Sequence, residues 1–159
     1  MEYEGYLTKN EVLKYIEEAF PFIDKPPEND LYVFDETDLM RRIIQRNISS
    51  YNSAELPYEG VIEVYDELST ISQQAVQWIF PSMLRIIVKG IDKSDNLHWH
   101  LPYYLEEMDC ETECSAYNFS WLNMEQIKAL WYLLEYISEE HGDLVAVAQE
   151  KLDELAEKI

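Results

Sequence analysis

The stretch that decides the fold is residues 123–142, which read NMEQIKALWYLLEYISEEHG. Asn123 lies three positions before Gln126. This is the spacing between the N-cap residue and the N3 residue of a capping box. Apolar residues then recur at helical spacing: Ile127, Leu130, Trp131, Leu134 and Ile137. Gly142 comes after these apolar residues. Glycine most often follows the end of a helix, because it adopts positive φ without strain. This stretch therefore predicts a long helix with one apolar face.

The first third of the chain repeats these signals. Residues 8–11 read TKNE, which is a capping box, and Pro21 is expected to stop the helix that follows it. Asp35 is predicted to cap a second helix. The apolar face of that helix is Leu39, Met40, Ile43, Ile44 and Ile48. A third, shorter helix is predicted near residues 59–68.

The middle and the end of the chain complete the pattern. Residues 70–73 open a helix in which Pro81 is expected to make a kink and which Gly90 is expected to end. Its predicted apolar face is Ala75, Val76, Ile79, Phe80, Leu84, Ile87 and Val88. Residues 97–108 predict a short helix. Asp143 is predicted to start a last helix, whose apolar residues are Leu144, Val147, Ala148, Leu152 and Leu155.

Strand signals are poor by comparison. Only residues 31–34, which read LYVF, predict a short strand, and no partner strand is evident. The chain has 159 residues, the length of one domain, which buries roughly 70% of the surface that its unfolded chain exposes. We therefore predict an all-α fold: a single-domain bundle spanning residues 1–159, with about six or seven helices, one of them kinked at a proline.

The charge balance narrows the class of partner. The chain has 12 Lys and Arg against 32 Asp and Glu, a net charge of −20. This charge repels nucleic acids and anionic membranes, and it favours a basic protein partner. The first residues lack the basic start and apolar segment of a secretory signal, and no apolar run is long enough to cross a bilayer. We expect a cytoplasmic protein with two reduced cysteines, no nucleic-acid partner and no membrane partner.

Two long segments contain acids and no Lys or Arg. Between Arg46 and Arg85 the acids are Glu55, Glu59, Glu63, Asp66 and Glu67. Between Lys93 and Lys128 they are Asp95, Glu106, Glu107, Asp109, Glu111, Glu113 and Glu125. The electrostatic field of such a negatively charged surface steers a positively charged partner toward it. The alternative interpretation is a solvated surface that keeps the protein soluble.

Aromatic residues accompany the second acidic segment. The chain has 12 Tyr and 4 Trp, which are enriched at protein interfaces. The predicted partner-binding surface joins three aromatic residues and five acids: Trp99, Tyr103, Tyr104, Glu106, Glu107, Asp109, Glu111 and Glu113. The alternative is that the aromatic residues fill the core, which is what we expect for Trp131 on its apolar stripe.

Catalytic and metal-binding patterns are few. Four side chains could ligate a soft metal: His98, His100, Cys110 and Cys114. On a helix, however, side chains two positions apart, such as those of the two histidines, point to different sides. The acids around Cys110 also disfavour a reactive thiolate. No nucleophile elbow or phosphate-binding glycine loop is present. We predict no catalytic residue and no cofactor, with a zinc-binding protein or enzyme as an alternative.

Two segments together resemble a known family. Residues 68–81 read LSTISQQAVQWIFP, and residues 119–126 read FSWLNMEQ, with Ala129 and residues 133–136 beyond them. They are similar to the capped-helix elements of a family of small acidic bacterial proteins classed as a domain of unknown function. The resemblance covers the middle and later half of the chain. It implies a helical fold and a bacterial origin, and it brings no catalytic residues.

These features favour a binding protein over an enzyme. The first hypothesis is an immunity protein that neutralises a basic bacterial toxin, such as a nuclease, by covering its positive surface with carboxylates and aromatic side chains. A DNA-mimicking regulator is an alternative that differs only in its partner. A zinc-binding protein or enzyme that uses the two histidines and two cysteines is the other alternative.

Overall fold

The computed structural model describes residues 1, 5–90 and 96–159. In this part of the chain the fold is all-α, as predicted, with no strand. The α-helices are α1 (Lys9–Ala19), α2 (Leu39–Ile48), α3 (Tyr58–Ile62), α4 (Gln73–Lys89), α5 (Leu97–Glu106), α6 (Met124–His141) and α7 (Ala146–Ala156). Two short 3₁₀ helices cover Glu28–Asp30 and Leu68–Thr70. No helix among these residues is both long and apolar enough to cross a membrane.

The two capping boxes form as predicted. In α1 the Thr8 hydroxyl accepts from the N–H of Glu11, whose carboxylate accepts from the Thr8 N–H at 2.8 Å. In α6 the Asn123 side chain accepts from the N–H of Gln126 at 3.0 Å, and the Gln126 side chain accepts from the Asn123 N–H at 3.0 Å. Gly142 ends α6 with a φ of 72°. Each pair lies within four consecutive residues, so local sequence determines these helix starts.

The predicted start of α2 is wrong. Asp35 does not cap the helix, because its carboxylate accepts from the N–H of Thr37 in the preceding turn at 2.9 Å. Asp38 caps α2 instead by accepting from the N–H of Arg41 at 2.9 Å. Arg41 is buried and donates to the Phe34 carbonyl at 2.8 Å. The predicted apolar face is only partly buried: Ile44 and Ile48 lie in the core, whereas Leu39 and Met40 are exposed.

The strand prediction is also wrong. Residues 31–34 contribute only an isolated bridge between Tyr32 and Ile71. The α3 helix is shorter than predicted, because it ends at Ile62 and turns connect it to the second 3₁₀ helix. The α4 helix continues through Pro81, and all of its predicted apolar residues are buried.

The last helix, α7, begins at Ala146, three residues after the predicted start at Asp143. Asp143 is not its N-cap, because the Asp143 carboxylate pairs with His98 instead. Two residues of the predicted apolar stripe, Leu144 and Val147, are exposed. The other three are buried: Ala148, Leu152 and Leu155.

The chain forms two compact units, and the first contains Met1–Pro21, Leu84–Met108 and Ser120–Ile159. In this unit α6 packs against α1, α5 and α7, and α5 also packs against α7. The rings of Tyr15 and Tyr132 meet in a T-shaped arrangement, with the centroids 5.0 Å apart. The buried residues of α6 are Ile127, Ala129, Leu130, Trp131, Tyr132, Leu133, Leu134 and Ile137. Because burial extends beyond one stripe, α6 forms the centre of this unit.

The second unit contains Phe22–Met83 and Asp109–Phe119. Here α2 packs against the 3₁₀ helix Leu68–Thr70. The Trp78 indole N–H donates to the Ser53 carbonyl at 3.0 Å, and the rings of Phe80 and Phe119 lie 5.9 Å apart. The interpretation of residues 1–159 as a single domain stays a prediction.

Candidate functional site

The α5 helix has one buried face and one exposed aromatic face. Its buried residues are Leu97, Leu101, Pro102, Tyr104 and Leu105. On the exposed face Trp99 is 57% exposed and Tyr103 is 50% exposed. These two residues are four positions apart, so their side chains are neighbours on the helix surface. Their rings stack nearly parallel, at an angle of 4° with the centroids 6.0 Å apart, and together they form an aromatic surface open to solvent.

This aromatic pair lines a groove of about 320 Å³, which we call the α5 groove. Its lining residues are Trp99, Pro102, Tyr103, Glu106, Gly142, Asp143 and Leu144. Leu144 is 91% exposed. The volume is at the lower end of the roughly 300–1,000 Å³ typical of ligand pockets. A groove of this size accommodates a side chain or a small group better than a large cofactor.

Local sequence explains how both sides of the groove form. Glu106 follows Tyr103 by three positions, so it continues the exposed face of α5. On the other side, Gly142 ends α6 in the left-handed conformation and redirects the chain. That turn brings Asp143 and Leu144 to the groove lining.

The groove has an acidic character. Glu106 and Asp143 contribute carboxylates, and no Lys or Arg is among the lining residues that the structure describes. Glu106 is the last residue of α5, and Gly142 directly follows the last residue of α6. The C-terminus of a helix carries a partial negative charge, which adds to that of the carboxylates. The combination of apolar walls and negative charge suits a ligand that is both apolar and cationic.

A histidine holds one of these carboxylates in place. Nδ1 of His98 lies 2.7 Å from Oδ2 of Asp143, and both side chains are largely buried. The His98 ring also stacks on His141, with the centroids 3.8 Å apart. His98 therefore positions Asp143 at the groove, a role that the sequence analysis did not predict.

The predicted partner-binding residues do not all reach the surface. Trp99, Tyr103 and Glu106 line the α5 groove, and Glu107 is exposed beside the end of α5. Tyr104 is only 1% exposed and belongs to the core, where a partner does not reach it. The reason is helical geometry, because consecutive residues point about 100° apart and Tyr103 already occupies the outer face.

The three other predicted acids, Asp109, Glu111 and Glu113, lie exposed in a loop of the second unit. Hydrogen bonds from the Thr112 hydroxyl and from the Glu111 N–H lower the pKa of the Asp109 carboxyl below its ordinary value. The buried side chain of Asn118 donates to the carbonyls of Cys110 and Thr112, at 3.3 and 3.1 Å. This loop therefore presents its carboxylates from a backbone that hydrogen bonds fix in place.

The four residues considered as metal ligands under the alternative hypothesis do not form a metal site. Cys110 and Cys114 are free thiols in the second unit. In the first unit His98 is engaged with Asp143, and the ring of His100 stacks on Tyr104 at 6.2 Å. Within residues 5–90 and 96–159, no group of three or more His, Cys, Asp or Glu residues could hold a metal ion.

The side of the groove that follows α6 was not predicted from the sequence. The sequence pattern predicted that Asp143 starts the last helix and that Leu144 belongs to the apolar stripe of that helix. One signal argued against that assignment: an N-cap at Asp143 would place Ala146 at N3, and alanine has no side chain that could complete a capping box.

Comparison of the chain with family models, curated proteins and solved structures finds no match. The case for a function therefore rests on the α5 groove and on the charge of the chain.

Proposed function

We propose that the protein is an inhibitor that binds a basic protein through the α5 groove. The partner is a bacterial toxin domain, such as a nuclease, and the protein acts in the cytoplasm as the corresponding immunity protein. The observation that carries the proposal is the exposed Trp99–Tyr103 pair in an acidic groove, on a chain with a net charge of −20.

The aromatic pair supports a protein partner. Single exposed apolar residues are normal on any protein surface. Here Trp99, Tyr103 and Leu144 are exposed together around one groove. Grouped exposed apolar side chains mark interaction sites, and Trp and Tyr are enriched among the residues that contribute most of the binding energy.

The charge supports a basic partner and suggests how inhibition works. An enzyme that acts on nucleic acid needs Lys and Arg to bind phosphates. A surface rich in carboxylates competes with nucleic acid for those Lys and Arg side chains. Its negative electrostatic field also accelerates the encounter of the two proteins. Inhibition then requires only that the complex covers the active surface of the toxin, with no chemical step by this chain.

The test is a titration of toxin activity. A basic toxin that the wild-type protein retains from the native host is purified, and its activity is measured against increasing amounts of this protein. We expect activity to fall to background at equimolar protein. A double variant with Trp99→Ala and Tyr103→Ala should require a large excess, whereas Phe34→Ala, which removes an exposed ring of the second unit, should inhibit as the wild type does. Full activity at a large excess of wild-type protein would refute the proposal.

A further inference from the structure

We infer that the α5 groove binds one arginine side chain of the basic partner. This inference rests on the proposed function, because it assumes that a basic protein docks here. It goes further by naming the type of side chain that the groove binds. Three features of the groove support it: the aromatic surface, the carboxylates and the exposed leucine.

The aromatic surface fits a planar cation. A guanidinium group stacks on the faces of Trp and Tyr, and Trp is the strongest of the aromatic partners. Trp99 and Tyr103 present stacked, nearly parallel rings, and both residues are about half exposed. The protein makes the same kind of contact within its second unit, where the Arg41 guanidinium lies 4.8 Å from the centre of the Tyr32 ring.

One carboxylate of the groove has no cationic partner among the residues that the structure describes. Glu106 forms no ion pair with any of the residues that the structure describes, although it is only partly exposed. Asp143 is held by His98 through one of its two oxygens. An arginine would bring a positive charge to Glu106 and to the free oxygen of Asp143, beside two helix C-termini where a cation is favoured. Its forked N–H groups match a carboxylate in two-point geometry, which a lysine ammonium cannot do.

The exposed leucine completes the fit. An arginine side chain consists of an apolar stem and a charged head, and such side chains bury the stem along apolar surfaces. Leu144 and Pro102 offer that surface within a volume of about 320 Å³. Because the guanidinium is less strongly hydrated than an ammonium, entering the groove costs an arginine less than a lysine.

The test uses the indole N–H signals of ¹⁵N-labelled protein in NMR. The chain has four tryptophans, of which Trp78 and Trp131 are buried and serve as internal references. Blocked tripeptides with a central arginine, lysine or citrulline are titrated at low salt. Citrulline has the shape of arginine without its charge. We expect the Trp99 signal to shift in a saturable way with the arginine peptide, several-fold more weakly with the lysine peptide and not at all with the citrulline peptide.

Two variants complete the experiment. Glu106→Gln should weaken binding of the arginine peptide several-fold, because it removes a carboxylate of the groove. Glu17→Gln removes an exposed carboxylate from α1 and should leave binding unchanged. Equal shifts with the arginine and citrulline peptides, or no movement of the Trp99 signal with the arginine peptide, would overturn the inference.

The two proposals can fail separately. If the arginine peptide binds but the protein does not inhibit the basic toxin, the proposed function is wrong and the arginine site stands. If the protein inhibits the toxin but the Trp99 signal does not change in the complex, the arginine site is wrong and the proposed function stands.

Discussion

Trp99 is the residue from which we expect the largest single effect on binding. Trp contacts at interfaces often contribute about 2 kcal/mol or more, which corresponds to roughly a 30-fold change in Kd. Trp99→Ala should therefore raise the Kd for the basic partner by about that factor, as measured by titration calorimetry.

The matched control is Phe34→Ala, since Phe34 is also a half-exposed ring but lies in the second unit. It should bind as the wild type does. Neither change should lower the free energy of unfolding by more than about 0.5 kcal/mol, because substitutions at exposed sites are usually mild. Equal losses of affinity in both variants would show that the α5 groove has no special role.

A second prediction at the residue scale concerns the pair of His98 and Asp143. Their hydrogen bond is 2.7 Å long and largely buried, and it joins α5 to the turn after α6. A net contribution of about 1 kcal/mol is typical of such a bond. A double-mutant cycle with His98→Ala and Asp143→Ala, followed by urea denaturation, should give a coupling energy of about that size. Strictly additive effects would show that the pair contributes nothing to stability.

At the scale of elements, the capping box of α6 makes a measurable contribution to stability. Asn123→Ala leaves the N–H of Gln126 without its side-chain acceptor. The loss of such a cap typically costs about 1 kcal/mol and lowers Tm by about 2–4 °C in a chain of this length. Asn10→Ala replaces an exposed asparagine within α1 and should leave Tm unchanged or slightly higher. Calorimetry of both variants would contradict the assignment if Asn123→Ala had no larger effect than Asn10→Ala.

The capping box of α1 makes stability sensitive to acid. Hydrogen bonds from the backbone N–H and the hydroxyl of Thr8 hold the pKa of Glu11 below its ordinary value. A carboxylate whose pKa is lower in the folded state adds stability above the unfolded pKa, and that contribution disappears as pH falls through the folded pKa. The Glu11→Gln variant should therefore lose less stability than the wild type between about pH 5 and about pH 3.

The measurement is a series of urea denaturations across that pH range. Glu17→Gln, on the same helix, is the control and should keep the slope of the wild type. An identical slope for Glu11→Gln would mean that the capping carboxylate does not contribute to acid sensitivity.

The helix starts show which features could be predicted from the sequence and which could not. Thr8 and Asn123 were identified correctly because each finds its capping partner three residues away. Asp35 and Asp143 look like caps as well, but other contacts engage them. The partner of Asp143 is 45 residues distant, and no local pattern reveals it.

At the scale of the whole molecule, the all-α class follows from helical periodicity along the chain, and the structure confirms it. One side of the α5 groove was also predictable, because Trp99, Tyr103 and Glu106 share a helix face by their spacing. The other side depends on the packing of α5 against α6 and α7, which the sequence alone does not determine.

The charge of the molecule predicts how fast it binds. A net charge of −20 should steer a basic partner toward the protein. The association rate should therefore fall by at least about tenfold as salt rises from about 0.02 to about 0.5 M, while the dissociation rate changes much less. Stopped-flow measurements with the basic partner would reveal this difference. An association rate that does not depend on salt would rule out electrostatic steering.

The most direct test of the central claim is a comparison of three forms of the protein used to capture partners from the native host. These are the wild type, the double variant Trp99→Ala with Tyr103→Ala, and Phe34→Ala. We predict that the wild type and Phe34→Ala each retain the same basic protein in equimolar amount, and that the double variant retains little or none. Retention of that protein by the double variant at the level of the wild type, or the absence of any basic protein from the wild-type sample, would contradict the account.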